Sequence, residues 1–276
     1  SPMGPVVVLG QSRKRGVERA VAETRELLAS LFGVALVDLE GGADLSRVDA
    51  EWAIVFGGDG AILNAARRMG DRPLPTLAVN FGRLGFLTEV EFTQFRTALE
   101  RVKEGGIHLR ERMRLTASVG DWSYEALNDV VVTGQRTGRV FHVSARIGGK
   151  EAFRYAGDGV VVATPTGSTA YSLAAGGPIL DPELKAIVIT PLCAHALSTR
   201  PLVIPSTQEV ELYIRRKDDP PGRVVLDGQQ SREIAPDEVV RIRRAEKPFV
   251  FIRVGVRSYF ARMRRLLGWG GAPKYR

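Results

Sequence analysis

The sequence predicts an α/β domain with a mostly parallel sheet, followed by an antiparallel β-rich domain. In the first half of the chain, short apolar runs alternate with segments whose apolar residues recur at helical spacing, which is typical of strand and helix layers. After about Arg114 the apolar period becomes that of strands, and 141–147 alternate apolar and polar side chains. We therefore expect an α/β domain over 1–114, a β-rich domain over 115–255, and a C-terminal tail over 256–276 that packs back on the first domain.

Individual elements follow from local patterns of apolar residues. Residues 5–9 form an unbroken apolar run, as expected for a strand buried on both faces of a parallel sheet. Residues 16–32 place Val17, Val21 and Leu28 on one helical face. The same signals predict strands at 34–37, 53–56, 76–80, 141–147, 151–155, 158–164, 210–214, 224–226, 239–243 and 249–254, and helices at 60–69, 92–103 and 171–175.

The composition is that of an ordinary globular protein, with 44% hydrophobic and 25% charged residues. No apolar run approaches the roughly 18 residues of a membrane span, and the single cysteine, Cys193, allows no internal disulfide. We therefore expect a cytoplasmic protein that binds no membrane and, with three histidines, no zinc cluster. The net charge of +8 suits a polyanionic partner, but dispersed basic residues and 7% aromatic residues argue against nucleic acid.

One loop organises the first domain. The apolar run 52–56 stops at three glycines, Gly57, Gly58 and Gly60, which surround the carboxylate of Asp59. Glycines let a backbone approach a ligand closely, and the helix that follows directs its N–H groups at the same place, as in phosphate sites. An Asp in a phosphate site repels the ligand unless it takes a proton from a reacting hydroxyl or faces a metal ion. A turn Asp within a glycine cluster is the simpler alternative.

Several common signatures are absent. No Gly-x-Gly-x-x-Gly follows the first strand, and there is neither a P-loop nor a Gly-x-Ser-x-Gly turn. This argues against ordinary dehydrogenase and P-loop chemistry and against Ser168 as a hydrolase nucleophile. Small polar residues remain at Asn128, Asp129, Asp158 and 166–172. Hydroxyls, an amide and carboxylates suit a ligand rich in ribose and adenine edges. The hydroxyls of 166–172 would equally serve as a helix cap, and both roles are compatible.

These residues carry a resemblance to a known family. The segments 57–60, 80–87, 128–129, 158–172 and 176–180 resemble those of the NAD kinases in order and spacing. The resemblance implies a Rossmann-like N-terminal domain, a C-terminal β-sandwich, and NAD in the cleft between them. It implies transfer of the γ-phosphoryl group of ATP, or of a polyphosphate terminal phosphoryl group, to the 2′-hydroxyl of the adenosine ribose of NAD, which makes NADP. It also implies Mg²⁺ and a homo-oligomer, either dimer or tetramer.

The resemblance also assigns roles to residues of this chain. Asp59 becomes the general base or metal-side carboxylate, with Gly57, Gly58 and Gly60 shaping the phosphate loop. Asn128 and Asp129 are expected to hold adenine and ribose hydroxyls. The further nucleotide-binding residues implied are Asn64, Phe81 (stacking on a ring), Arg139, Ala156, Asp158, Thr169, Ala170, Tyr171, Ser172, Leu173, Ala174 and Gln229. No metal ligand is assigned.

The chain departs from the family pattern at four positions. Ala61 stands where a Thr is common, so a hydroxyl contact to donor phosphate is lost, and Asn64 stands where a basic residue is common. Asp129 replaces the commoner Glu and is one methylene shorter. Ala156 stands near a position where some members have Arg, so we expect weaker discrimination between NAD and NADH. Arg139 is equally well explained as a solvent-exposed strand residue.

Two other functions remain open at this point. Lipid kinases of the diacylglycerol and sphingosine type share the Gly-Gly-Asp-Gly loop, and a non-catalytic nucleotide-binding or nucleic-acid-binding protein would also explain the basic charge. Other conspicuous side chains have structural explanations. We expect Trp52 in the core, Cys193 as a buried thiol, His195 as a packed side chain, and Trp269 as a contact that docks the tail.

Overall fold

The computed structural model describes residues 3–13, 15–82, 84–134, 141–195, 198–214, 221–255 and 259–268. The chain forms two compact units, of which the first contains Ser1–Arg110 and Val250–Arg276 and the second contains Glu111–Phe249. The first unit is therefore built from two separate stretches of sequence. Arg139 and Trp269, which carried predictions, lie outside the described residues.

All the predicted helices and strands are present in the described residues, together with eight strands and a C-terminal helix that the sequence patterns did not predict. In chain order they are β1 (Val6–Gly10), α1 (Val17–Leu31), β2 (Val34–Asp38), β3 (Trp52–Gly57), α2 (Asp59–Met69), β4 (Thr76–Asn80), β5 (Val90–Glu91), α3 (Phe95–Lys103), β6 (His108–Arg112), β7 (Leu115–Val119), β8 (Trp122–Ala126), β9 (Asp129–Gly134), β10 (Phe141–Ile147), β11 (Lys150–Gly157), β12 (Gly159–Ala163), α4 (Tyr171–Ala174), β13 (Ala186–Leu192), β14 (Leu202–Pro205), β15 (Val210–Ile214), β16 (Gly222–Leu226), β17 (Gln230–Ile234), β18 (Val239–Arg244), β19 (Phe249–Arg253) and α5 (Tyr259–Leu267).

The first unit is an α/β domain, as predicted. Its sheet has the order β2-β1-β3-β4-β19-β6, with β5 also paired to β4, and β1, β3 and β4 run parallel. Trp52 is fully buried and meets the ring of Phe32 edge to face, with centroids 5.0 Å apart. The prediction of Trp52 in the core is therefore confirmed. Every residue of β3 is buried, because helices cover the sheet. This burial explains why the strand is a continuous apolar run in the sequence.

The second unit is an antiparallel β-sandwich, which confirms the predicted fold class. Its sheets have the orders β11-β10-β15-β18-β7-β8 and β14-β13-β12-β9-β16-β17. The inward residues of both sheets share one core, in which Phe141 and Leu212 of the first sheet pack with Val130 and Val160 of the second. The turn at 148–149 closes the β10–β11 hairpin, where Ile147 pairs with Lys150.

Two predictions about side chains after β13 are wrong. Cys193 is exposed, and so is His195. The apolar run ends with β13 at Leu192, and Cys193 has a positive φ of 46°, which turns the chain out of the strand. Among the described residues, no helix is both long enough and apolar enough to span a bilayer.

Candidate active site

In the first unit, the organising loop links β3 directly to α2. Gly57 ends the strand with a φ of 157°, and a Cβ there would lie 2.5 Å from the Cβ of Ala61, so only glycine fits. Gly58 is the N-cap of α2, and Asp59 is its first residue. A helix start carries partial positive charge, so this turn presents an anion-binding end beside a partly buried carboxylate. Asn64 lies one turn further along α2 and is partly buried.

The carboxylate of Asp59 is held by the backbone of a second motif. Its Oδ2 accepts a hydrogen bond from the N–H of Phe86 at 2.9 Å, and its Oδ1 accepts one from Leu87 at 3.0 Å. A Cβ on Gly85 would lie 2.0 Å from Asp59 Oδ1, so the approach requires glycine at that position. The structure therefore brings together the 57–60 and 80–87 segments and fixes the direction of the Asp59 carboxylate. Phe81, which is partly buried, packs against the ring of Phe92, with centroids 4.8 Å apart.

In the second unit, the partly buried carboxylate of Asp227 shapes the start of β9. Asp227 accepts hydrogen bonds from three successive backbone N–H groups, those of Leu127 at 2.7 Å, Asn128 at 2.8 Å and Asp129 at 3.1 Å. Its own N–H donates to the carbonyl of Asp129 at 3.0 Å. Sequence reasoning missed this role and singled out Gln229, an exposed residue of the same turn. The available signal was an Asp before Gly at a hairpin turn, since Asp tolerates the φ of 51° seen there.

Asp129 is the neighbouring carboxylate of this region, and it is buried, with 5% exposed. Burial, together with the charge of Asp227, raises the pKa of Asp129 to about 7, against the effect of a hydrogen bond from the backbone N–H of Tyr171. Burial also raises the pKa of Asp227, but three N–H donors favour its ionised form. With a pKa of about 7, the Asp129 carboxyl can donate or accept a hydrogen bond near neutral pH.

Asn128 carries a buried polar atom that the protein leaves without a partner. Its Oδ1 is buried and has no hydrogen bond within the described part of the chain, and the same is true of Oγ1 of Thr166. The two loops pack tightly, because a Cβ on Gly167 would lie 2.0 Å from the carbonyl oxygen of Asn128. Buried acceptors are normally satisfied, and a site that leaves two of them open is ready for a donor from a ligand.

The 166–172 segment divides its predicted residues between two roles. The hydroxyl of Ser172 is buried against that of Thr190 at 2.8 Å, and Ser168 accepts a hydrogen bond from the N–H of Leu180 at 2.9 Å, so both support the loop internally. Thr169 bonds back to the carbonyl of Thr166 at 3.2 Å. Tyr171 is 48% exposed at the start of α4. Of the other predicted residues, Ala170 and Leu173 are partly buried and Ala174 is exposed.

Asp158 and Ala156 lie at the junction of β11 and β12. Asp158 is exposed and its backbone N–H donates to the carbonyl of Leu192 at 2.9 Å. A hydrogen bond to the Asp158 carboxylate raises the pKa of the Cys193 thiol, so Cys193 stays protonated. Ala156 is partly buried and accepts a backbone hydrogen bond from His195 at 2.9 Å.

The fold and this chemistry together define a class. The α/β domain has a Gly-Gly-Asp-Gly turn that fixes a carboxylate at the start of a helix, and the same chain contains a β-sandwich with polar loops. This combination is that of a small-molecule kinase. The model of the ATP-NAD kinase N-terminal domain matches residues 11–107, and that of the C-terminal domain matches residues 127–254. The chain therefore belongs to the NAD kinase family, and the resemblance seen in its motifs is confirmed.

Individual relatives agree with this assignment. The chain is 40% identical to the NAD kinase of Geobacter sulfurreducens over 226 residues, covering 80% of this chain and 79% of the relative. It is 43% identical to that of Heliobacterium modesticaldum over 222 residues, covering 79% and 78%. These matches do not favour a lipid kinase.

Solved structures share the fold. Yeast NADH kinase complexed with NADH superimposes with a TM-score of 0.89 at 23% identity, covering 99% of this chain and 90% of the other. An Archaeoglobus fulgidus NAD kinase in complex with ATP gives a TM-score of 0.77 at 26% identity, covering 96% and 97%. The two-domain architecture described above is therefore that of known NAD kinases.

Proposed function

We propose that this chain transfers the γ-phosphoryl group of ATP to the 2′-hydroxyl of the adenosine ribose of NAD. The observation that carries the proposal is the fixed position of the Asp59 carboxylate at the start of α2. Each of its two oxygens accepts one backbone hydrogen bond, from Phe86 and from Leu87. A carboxylate oxygen accepts more than one hydrogen bond, so both retain capacity to accept the proton of a ribose hydroxyl. A fixed acceptor needs no reorganisation as that hydroxyl attacks, which suits a reaction governed by alignment.

The phosphates of the donor are assigned to the turn before α2. Gly57 and Gly58 leave the backbone free of side chains there, and the helix start favours negative charge. The buried methyl of Ala61 offers no hydroxyl, so we assign the phosphate contacts to backbone groups of this turn. ATP is the donor we favour, because the Archaeoglobus relative binds it, and polyphosphate is the alternative to compare in the assay.

Magnesium is proposed to arrive with the donor as the Mg²⁺–ATP complex. Within the described ranges, no cluster of three or more His, Cys, Asp or Glu side chains is placed to hold a metal ion. Mg²⁺ binds nucleotides through phosphate oxygens and retained waters, with one or two protein carboxylates, and a lone Asp59 fits that donor set. The ion supplies charge neutralisation at the phosphates, and Asp59 is the carboxylate proposed to face it.

The adenosine part of NAD is assigned to the loops around Asn128. Its open Oδ1 and the open hydroxyl of Thr166 match the amine of adenine and the hydroxyls of ribose. Asp129, with a pKa of about 7, is suited to bond a ribose hydroxyl in either protonation state. Tyr171, whose backbone N–H bonds to Asp129, exposes its side chain beside this region and completes the proposed contacts. Asp158 is exposed at the other end of β9, where Gly159 pairs with Thr133, and is proposed to face the nicotinamide end of NAD. We further propose, as for the family, a cytoplasmic homo-oligomer.

The experiment is a coupled assay that varies donor and dinucleotide together in wild-type protein and in two variants. Asp59→Asn should lower kcat by about 10² to 10⁴-fold while the Kd for NAD changes little, because the amide cannot accept the proton and can keep only one of the two backbone hydrogen bonds that aim the side chain. Asp44→Asn, at a carboxylate that is 62% exposed and lies in the same unit, is the matched control and should retain full activity. Because Ala156 supplies no cation, the wild type should also phosphorylate NADH at a measurable rate. Full turnover by Asp59→Asn would refute the proposed role.

A further inference from the structure

Arg262 of α5 is a buried guanidinium placed directly behind the loop that holds Asp59. Its side chain is only 7% exposed, and a buried cation of this kind requires specific partners. Nη1 donates to the carbonyl oxygen of Phe86 at 2.5 Å, and Nη2 lies 3.2 Å from Oε2 of Glu89. All of these residues belong to the first unit, although Arg262 is separated from Phe86 by 176 positions in sequence.

One peptide group connects this cation to the Asp59 carboxylate. The carbonyl of Phe86 and the N–H of Leu87 belong to the same planar, conjugated amide. Its oxygen accepts from Arg262, while its N–H donates to Asp59 Oδ1 at 3.0 Å. A charged donor on the carbonyl polarises the amide, which makes its N–H a stronger donor. Arg262 is therefore linked to the Asp59 carboxylate through one peptide group, without touching it.

The surrounding charges agree with this geometry. Glu89 is 3% exposed and is shared by Arg262 and Arg253, whose Nε lies 2.7 Å from the same oxygen. Burial and the neighbouring Arg253 lower the pKa of Arg262, whereas the charges of Glu89 and Asp59 raise it. The Asp59 carboxylate is thus close enough to interact with the Arg262 charge across the peptide.

We propose that Arg262 is a positioning residue for phosphoryl transfer, which holds and polarises the 86–87 peptide so that Leu87 keeps Asp59 correctly aimed. This inference depends on the proposed function of Asp59. It gives the C-terminal helix α5 an effect on catalysis, although none of the segments that resemble NAD kinases lies in this helix. Arg262 contacts neither substrate nor donor in this arrangement.

The test compares Arg262→Gln with Arg265→Gln in the full chain. Arg265 lies on the same helix but is 57% exposed and pairs with Glu91 at 3.2 Å, so it is a matched control. Arg262→Gln should lower kcat about tenfold while the KM for NAD changes less than about threefold, since the weakened hydrogen bond serves the reacting geometry. The Leu87 amide should also exchange with deuterium faster than in wild type. Arg265→Gln should change neither.

A double-mutant cycle separates positioning from general loss of structure. Because Arg262 acts through Asp59, Arg262→Gln should cost little further activity when Asp59→Asn is already present, measured by radiolabelled phosphoryl transfer. An equal fractional loss in both backgrounds, or wild-type kcat in Arg262→Gln, would overturn the inference. A wild-type protein without kinase activity would instead refute the proposed function, while the exchange of the Leu87 amide would still report the link to Arg262.

The conservative variant Arg262→Lys keeps the test decisive if the glutamine variant does not fold. One ammonium group cannot reproduce the planar fork that reaches both Phe86 and Glu89. We expect kcat to fall about threefold and the Leu87 amide to exchange faster than in wild type. Unchanged kcat together with unchanged exchange in Arg262→Lys would overturn the inference.

Discussion

Replacing Asp227 by Asn tests how the second unit builds its ligand-facing loop. Oδ1 of Asp227 accepts from Asn128 and Asp129, and Oδ2 accepts from Leu127. An Asn side chain has one acceptor oxygen, so in either orientation its NH₂ group faces at least one backbone N–H. The variant therefore loses at least one charge-assisted hydrogen bond and leaves a buried donor unsatisfied, which costs about 2 to 3 kcal/mol.

The measurement is thermal denaturation of wild type and variant, with calorimetric titration of NAD. A loss of that size lowers Tm by about 5 to 10 °C for a chain of this length. The control is Asp181→Asn, because Asp181 is exposed and accepts one N–H, that of Glu183 at 2.9 Å, so its replacement should cost less than about 0.5 kcal/mol. NAD affinity should fall in Asp227→Asn and stay at the wild-type value in Asp181→Asn. Equal stability of the two variants would show that the three hydrogen bonds do not support the loop.

Two further predictions concern Asp129 and Gly85. The pKa of Asp129 rises from 3.8 to about 7 on folding, so the folded protein holds an extra proton between these two pH values. The contribution of Asp129 to the free energy of unfolding therefore falls as pH rises through that window and is constant above it. Asp129→Asn should therefore gain more stability relative to wild type at pH 8 than at pH 5 in urea denaturation, and an equal difference at both values would contradict the assignment. Gly85→Ala should lower kcat by about tenfold or more, because the added methyl group would displace the Asp59 carboxylate. Gly42→Ala is the control, since no atom lies within 4 Å of the added Cβ there. Equal activity of the two variants would refute the reasoning.

Local patterns predicted much of this molecule because its elements are locally consistent. The apolar run of β3 and the alternation in β10 follow directly from burial on two faces and on one face, respectively. The glycine turn around Asp59 was also visible as a break between a strand and a helix. These features depend on neighbours within a few residues, which a sequence displays.

The contacts that fix the candidate site depend on residues far apart in sequence. Asp227 bonds residues about 100 positions earlier, and no periodicity reveals that pairing. The exposure of Cys193 was mispredicted because its apolar neighbours suggested burial, whereas a positive φ turns it outward. Asp59 was found as a residue, but the N–H groups that aim it come from a different loop.

The divided first unit has a consequence for biogenesis. The part of the β4 edge that β5 leaves open is covered by β19, in which Phe251 pairs with Thr76, and all of β19 after Phe249 follows the second unit in the chain. A nascent polypeptide leaving the ribosome must therefore keep this sheet open while the sandwich is translated. An uncovered strand edge is prone to pairing with other chains, so chaperone dependence during synthesis should exceed that of a protein with contiguous domains.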